Sequence, residues 1–166
     1  MNQIQLNVDE MKAFIKHMVK NNQHIQQDGK VPVAINVEGE AGLGKTSAIM
    51  QLGSELEMQV VKLNLAQLEE LGDLDKRMSH AAPEWIQGRG EGGFLVLDDY
   101  TRADHRFMQA CMELIDKQEY VSWRLPKNWN VILTTNPDNG DYNVTSLDNA
   151  QKTRFISIET KFDAPV

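Results

Sequence analysis

Three glycines within six residues, followed at once by a lysine and two hydroxyls, constrain this chain more than any other feature: Gly39-Glu40-Ala41-Gly42-Leu43-Gly44-Lys45-Thr46-Ser47. Ahead of them, Val31 to Val37 is a β-branched run suited to a buried strand, with Pro32 near its start. Behind them, Ile49, Leu52 and Leu56 recur at helical spacing from a start near Lys45. A glycine-rich turn between strand and helix lets several backbone N–H groups converge on one point, and the helix N-terminus adds a positive partial charge there. The spacing G-x-x-x-x-G-K-S/T in that setting is a phosphate cradle. Lys45 is expected to reach the β- and γ-phosphates of ATP, and Thr46 to place its hydroxyl on Mg²⁺, a hard cation that takes oxygen ligands. The stretch Gly39, Glu40, Ala41, Gly42, Leu43, Gly44, Lys45, Thr46 and Ser47 is the expected nucleotide-binding segment. The bland alternative is a strand-to-helix turn that holds nothing.

The rest of the chain repeats the strand-and-helix rhythm. Met11, Phe14, Ile15, Met18 and Val19 follow helical spacing, and Asn7 with Glu10 forms a capping box at the helix start. The polar stretch from Asn21 to Lys30 contains Asp28-Gly29 and reads as a loop. Met58 to Leu63 is a second strand, so strand, helix and strand make a right-handed parallel unit. Phe94 to Leu97 gives a third strand. Thr101 to Gln118 gives a helix with Phe107, Cys111, Leu114 and Ile115 on one face, and Glu119 to Leu125 alternates as a short hairpin arm does. Val131 to Thr135 and Phe155 to Ile158 complete a set of five strands. The expected fold is α/β, of the P-loop NTPase type: a parallel five-stranded sheet flanked by helices. Residues 1–166 form one such domain, with 1–30 as an N-terminal helix and loop and 31–160 as the core.

Composition narrows the function classes. With 17 Lys and Arg against 24 Asp and Glu, the formal charge is −7, and the cations, such as Lys12, Lys16 and Lys20, are scattered. Nucleic-acid binding is disfavoured on that ground. No apolar run approaches the ~18 residues of a membrane span, and no leader pattern opens the chain, so a cytoplasmic protein without a membrane partner is expected. A single cysteine, Cys111, cannot form an internal disulfide, and its apolar neighbours suit a buried thiol in a reducing compartment. His17, His24, His80 and His105 do not cluster at metal-ligand spacing.

A second chemical signal is Phe94-Leu95-Val96-Leu97-Asp98-Asp99, an apolar strand ending in two carboxylates. Ligands bind at strand C-termini in open α/β sheets. Asp98 is expected to hold Mg²⁺ through its water shell, and Asp99 to accept the proton of the attacking water. Read alone, the pair also fits a turn followed by a helix cap, since Thr101 and Asp104 make a capping pair.

With these residues in order, the chain resembles the AAA+ ATPases, and within them the MoxR and dynein-related group. Leu97-Asp98-Asp99-Tyr100-Thr101-Arg102-Ala103 is similar to that group's Walker B segment. Leu125 to Pro137 resembles the strand leading to its sensor asparagine, and Leu147 to Phe155 its segment bearing an arginine finger. The likeness runs over residues 33–159. It implies that Asn136 hydrogen-bonds the water or the γ-phosphate, although Asn-Pro alone is only a turn signal. It implies that Arg154, alone an ordinary surface residue, stabilises charge in a neighbouring subunit's site, an effect worth about 10³ to 10⁵ in rate in other NTPases.

A finger acting in trans implies a closed head-to-tail homo-oligomer, a hexameric ring by resemblance, working on a protein substrate or adaptor as a chaperone or remodeller does. The segment Gln67 to Gly93 resembles the family's substrate-facing loops, with Trp85 a gripping aromatic or a half-buried core residue. Two departures stand out. Asp99 occupies a place where most relatives have Glu, and a carboxylate displaced by about 1 Å costs ~10²-fold in rate. The chain also ends at Val166, after the fifth strand, without the helical lid that the resemblance leads one to expect. Three functions follow: an ATP-driven remodeller, an ATP-binding switch that hydrolyses little, and a nucleic-acid motor or loader.

Overall fold

The computed structural model describes residues 4–39, 45–64, 89–98, 112–120, 123–135 and 155–160. The first strand, β1 (Ile4–Leu6), leads into helix α1 (Val8–Gln27) through Asn7. The Asn7 side chain accepts the Glu10 amide at 2.8 Å, and the Glu10 carboxylate accepts the Asn7 amide at 3.1 Å. This is the reciprocal cap expected from the sequence, and it satisfies two amides that have no partner inside the helix. Met11, Ile15, Met18 and Val19 form the buried stripe.

The polar stretch after Asn21, expected as a loop, is helix as far as Gln27. Asn22 explains the difference. Its side chain lies 2% exposed, donates to the Val33 carbonyl at 3.0 Å and to Asn130 Oδ1 at 2.8 Å, and accepts the Val33 amide at 2.9 Å. A polar residue that looks like loop in sequence is thus the pin that ties α1 to the sheet, and the chain turns only at Asp28 and at Gly29, whose φ is +78°.

Strand β2 (Ala34–Glu38) is followed by helix α2 (Lys45–Glu55), β3 (Gln59–Asn64) and β4 (Gly93–Asp98). Residues 112–117 are helical and run into an antiparallel hairpin of β5 (Glu119–Tyr120) and β6 (Trp123–Arg124), the arm read from the alternation. Strands β7 (Trp129–Thr135) and β8 (Phe155–Thr160) complete the described structure. The main sheet has the order β1-β8-β2-β7-β4-β3, and every pair in it is parallel. The five expected strands are all present. A sixth, β1, is added at one edge by pairing with β8.

Burial follows from that arrangement. Every residue of β7 and all but the last of β2 and β4 are buried, as parallel strands covered on both faces must be. On one face, Ile35, Val37, Phe94, Val96, Ile132 and Ile158 pack with the α1 stripe and with Ala48, Ile49 and Leu52 of α2. The alternate residues Leu95, Leu97, Val131 and Leu133 are also buried, as are Met112, Leu114 and Ile115. No described helix is long and apolar enough to cross a membrane.

The order also locates a crevice. From β2 the chain passes through α2 to the sheet edge at β3 and returns by way of β4, while β8 lies on β2's other side. The carboxyl end of β2 is therefore a switch point, where open α/β sheets bind ligands.

Candidate functional site

The described site residues gather at the carboxyl ends of β2, β4 and β7 and at the first turn of α2. Lys45 opens α2 and is only 9% exposed. Its ammonium donates to the Gly39 carbonyl at 2.6 Å and to the Thr135 carbonyl at 2.9 Å. Burying a charge requires such partners. Both are backbone carbonyls at strand ends rather than carboxylates, so the cation is held in place while its charge is left uncancelled by them. The Gly39 amide in turn donates to the Thr135 carbonyl at 3.1 Å, which ties the exit of β2 to the end of β7.

Gly39 has no room for a side chain. A Cβ there would lie 2.2 Å from Thr160 Oγ1, and that hydroxyl is itself engaged with the Glu38 carbonyl at 3.1 Å. Glycine at this position thus lets β8 close against the start of the loop.

Asp98 ends β4 and is the hub of the second half of the site. Its Oδ1 accepts the Thr134 hydroxyl from β7 and lies 3.4 Å from Thr46 Oγ1 on α2, a long contact. Its Oδ2 lies 3.9 Å from the Lys62 ammonium of β3. The structure therefore brings together Thr46 and Asp98, the two residues expected to serve Mg²⁺. A carboxylate and a hydroxyl converging from two elements are hard oxygen donors of the kind that ion takes, with water and phosphate oxygens filling the remaining positions. The donor set fits the ion. Among the described residues no group of three or more His, Cys, Asp or Glu side chains forms a metal site of another type. Ser47 is exposed on the first turn of α2.

Glu40, Ala41, Gly42, Leu43 and Gly44 lie outside the described residues, as do Asp99, Asn136, Arg154, Trp85 and Cys111. Two site residues were not found by sequence reasoning. In the sequence, Thr134 and Lys62 each read only as part of a strand. The signal for both lies in strand register, because Leu97 pairs with Leu133 and Lys62 with Val96, which sets their side chains on the face of Asp98. A cavity of about 970 Å³ opens elsewhere, near the amino ends of the strands, between Gln26, Lys30, Gln118 and Lys127. It contains none of these residues, which gather instead at the crevice of the strand ends.

No protein-family model matches the chain. Over 150 residues it is 28% identical to the replication factor C large subunit of Sulfolobus acidocaldarius, a match that takes in 88% of this chain and 31% of that protein. Over 113 residues it is 26% identical to midasin of Dictyostelium discoideum, covering 61% of this chain and 2% of that protein. Among solved structures, a RuvB variant of Thermotoga maritima superposes with a TM-score of 0.60 at 18% identity, over 94% of this chain and 48% of that one. The RuvB Holliday junction branch migration motor of the same organism gives 0.56 at 18% identity, over 93% and 47%.

The fold is that of the AAA+ ATPases. This chain spans about a third of the replication factor C large subunit and about half of the RuvB chain. The AAA+ likeness is general across these comparisons, and the narrower MoxR resemblance rests on the sequence motifs.

Proposed function

We propose that this chain is an ATP-binding, Mg²⁺-dependent ATPase module of the AAA+ class. The observation that carries the reading is the convergence of Lys45, Thr46 and Asp98 at a strand-end crevice beside a glycine that admits no side chain. Lys45 exchanges a backbone carbonyl for a phosphate oxygen, a charge-assisted contact of greater strength. Thr46 and Asp98 hold Mg²⁺, which when bound supplies neutralisation of phosphate charge. Thr134 fixes the Asp98 carboxylate so that its oxygens need no reorientation at that moment. Asp99 takes the proton of the attacking water, Asn136 positions that water or the γ-phosphate, and Arg154 reaches a neighbouring subunit, all three by resemblance. The larger activity is remodelling of a protein partner by a homo-oligomeric ring.

Two other readings have support of their own. Asp99 in place of Glu favours a nucleotide-binding switch with slow turnover. The names of the relatives, a replication factor and a branch migration motor, favour a DNA-directed module, against which stands the formal charge of −7.

The test is ATP affinity and ATP turnover with Mg²⁺ for the wild type, Lys45→Ala and Asp98→Asn. Binding lost in the first variant, and Mg²⁺ dependence lost in the second, supports the module. A wild type that binds no nucleotide at any Mg²⁺ concentration refutes it. Salt-sensitive retention of DNA in a gel, stimulated by ATP, moves the assignment to the DNA-directed reading.

A further inference from the structure

Lys62 has no part in the motifs, yet its only ion-pair partner among the described residues is the carboxylate at the centre of the site. It lies on β3, the edge strand, paired in register with Val96 of β4, and Asp98 is two residues further along β4. Residues two apart along a strand share a face, so Lys62 and Asp98 are diagonal neighbours on the face that carries α2, within reach of a long side chain. The ammonium lies 3.9 Å from Asp98 Oδ2, while Oδ1 is occupied by Thr134 and approached by Thr46. Lys62 is 42% exposed at its side chain and Asp98 21%. A lysine on an edge strand also serves to discourage pairing with other chains, a role that leaves the metal site untouched. Here the side chain is directed along the sheet toward the metal-binding carboxylate.

The geometry points to Lys62 as the resident counter-cation of Asp98, in competition with Mg²⁺ for that carboxylate. Mg²⁺ held by Asp98 through its water shell would be a second cation on the same carboxyl group, and each would weaken the other's hold. The coupling is reciprocal: the ammonium raises the Mg²⁺ concentration the site requires, and Mg²⁺ drives the ammonium away from Asp98. Lys62 is thus a positioning residue that sets the ion threshold of the site, and its role rests on the Mg²⁺-nucleotide reading above.

Two binding measurements test it. In the first, a fluorescent ATP analogue is bound at increasing Mg²⁺ by the wild type, Lys62→Met and Lys62→Arg. Lys62→Met should move the Mg²⁺ midpoint down by about two- to fivefold at ~0.05 M salt, the range expected of a part-exposed charge pair. Lys62→Arg should stay within about twofold of the wild type, and the methionine shift should shrink by roughly half or more at ~0.5 M salt. In the second, Mn²⁺ alone is titrated without nucleotide and followed by electron paramagnetic resonance, and Lys62→Met should bind it more tightly. An unchanged midpoint in Lys62→Met overturns the inference, as does a raised one, which would place the ammonium on phosphate instead. Failure of the wild type to bind the ATP analogue refutes the nucleotide reading, and the Mn²⁺ titration still decides the role of Lys62.

Discussion

Gly39 follows the end of β2 so close to Thr160 that an added Cβ would collide with the threonine hydroxyl and come within 3.3 Å of its carbonyl. Gly39→Ala should therefore destabilise the fold by about 1–3 kcal/mol in urea denaturation, the cost of overpacking. Adding Thr160→Ala removes the nearer atom and should restore part of that loss; a double variant no better than the single one would show that the strain lies elsewhere. Lys45 is a different case, because one of its acceptors, Thr135 O, also receives the Gly39 amide and keeps that partner without the lysine. Lys45→Met keeps the apolar stem and loses only the charge, so the thermal midpoint should change little while ATP affinity falls about 10- to 100-fold, the range for hydrogen bonds to a charged group. Calorimetric titration and a melt on the same sample separate the two effects. Lys45, Thr46 and Asp98 were legible from sequence because the motif fixes their spacing along one stretch of chain and at one strand end. Thr134 and Lys62 were not, because only the register between strands far apart in sequence brings them to the same carboxylate.

Among the elements, α1 shows which local signals survive folding and which are overruled. The capping box at Asn7 and Glu10 involves residues three apart, and the structure forms it as the sequence suggests. The helix end is not legible locally because Asn22 has neutral-to-poor helix propensity, and its compensation comes from Val33 and Asn130, which the local pattern does not contain. The two sites should differ in energetic weight. Asn7→Ala removes an exposed cap and should cost about 1 kcal/mol. Asn22→Leu leaves the Val33 amide, the Val33 carbonyl and Asn130 Oδ1 short of a partner at a buried joint, and should cost about 2–4 kcal/mol. Equal losses in urea denaturation would mean that the joint is wetter or more adaptable than its 2% exposure implies. Strand β1 escaped notice for a related reason. Its three residues are too few to show a period, and it exists through its pairing with β8, whose partner residues Ile158 to Thr160 lie at the far end of the sequence.

At the scale of the whole molecule, the sheet order puts Gly39 after β2 and the end of β4 that bears Asp98 on the same carboxyl edge, while the proposed finger, Arg154, immediately precedes β8 in sequence. If the finger serves a neighbour, each complete site is built from two chains. Lys45→Ala spoils only the site that the variant subunit itself carries, and Arg154→Ala spoils only the site of the subunit next to it. Each variant alone should then be inactive. Mixing the two in equal amounts reunites intact halves wherever an Arg154→Ala subunit, with a good cradle, meets a Lys45→Ala subunit, with a good finger. Random assembly makes about one interface in four productive, so turnover should return to roughly a quarter of the wild-type value if sites act independently. It should also rise more steeply than linearly with total protein, because free subunits lack half a site. Turnover that scales linearly for the wild type, together with no recovery on mixing, would refute a shared site and leave an ATPase whose catalytic groups all belong to one chain. Recovery well above a quarter would show instead that subunits of the two kinds prefer one another, or that one complete site speeds its neighbours.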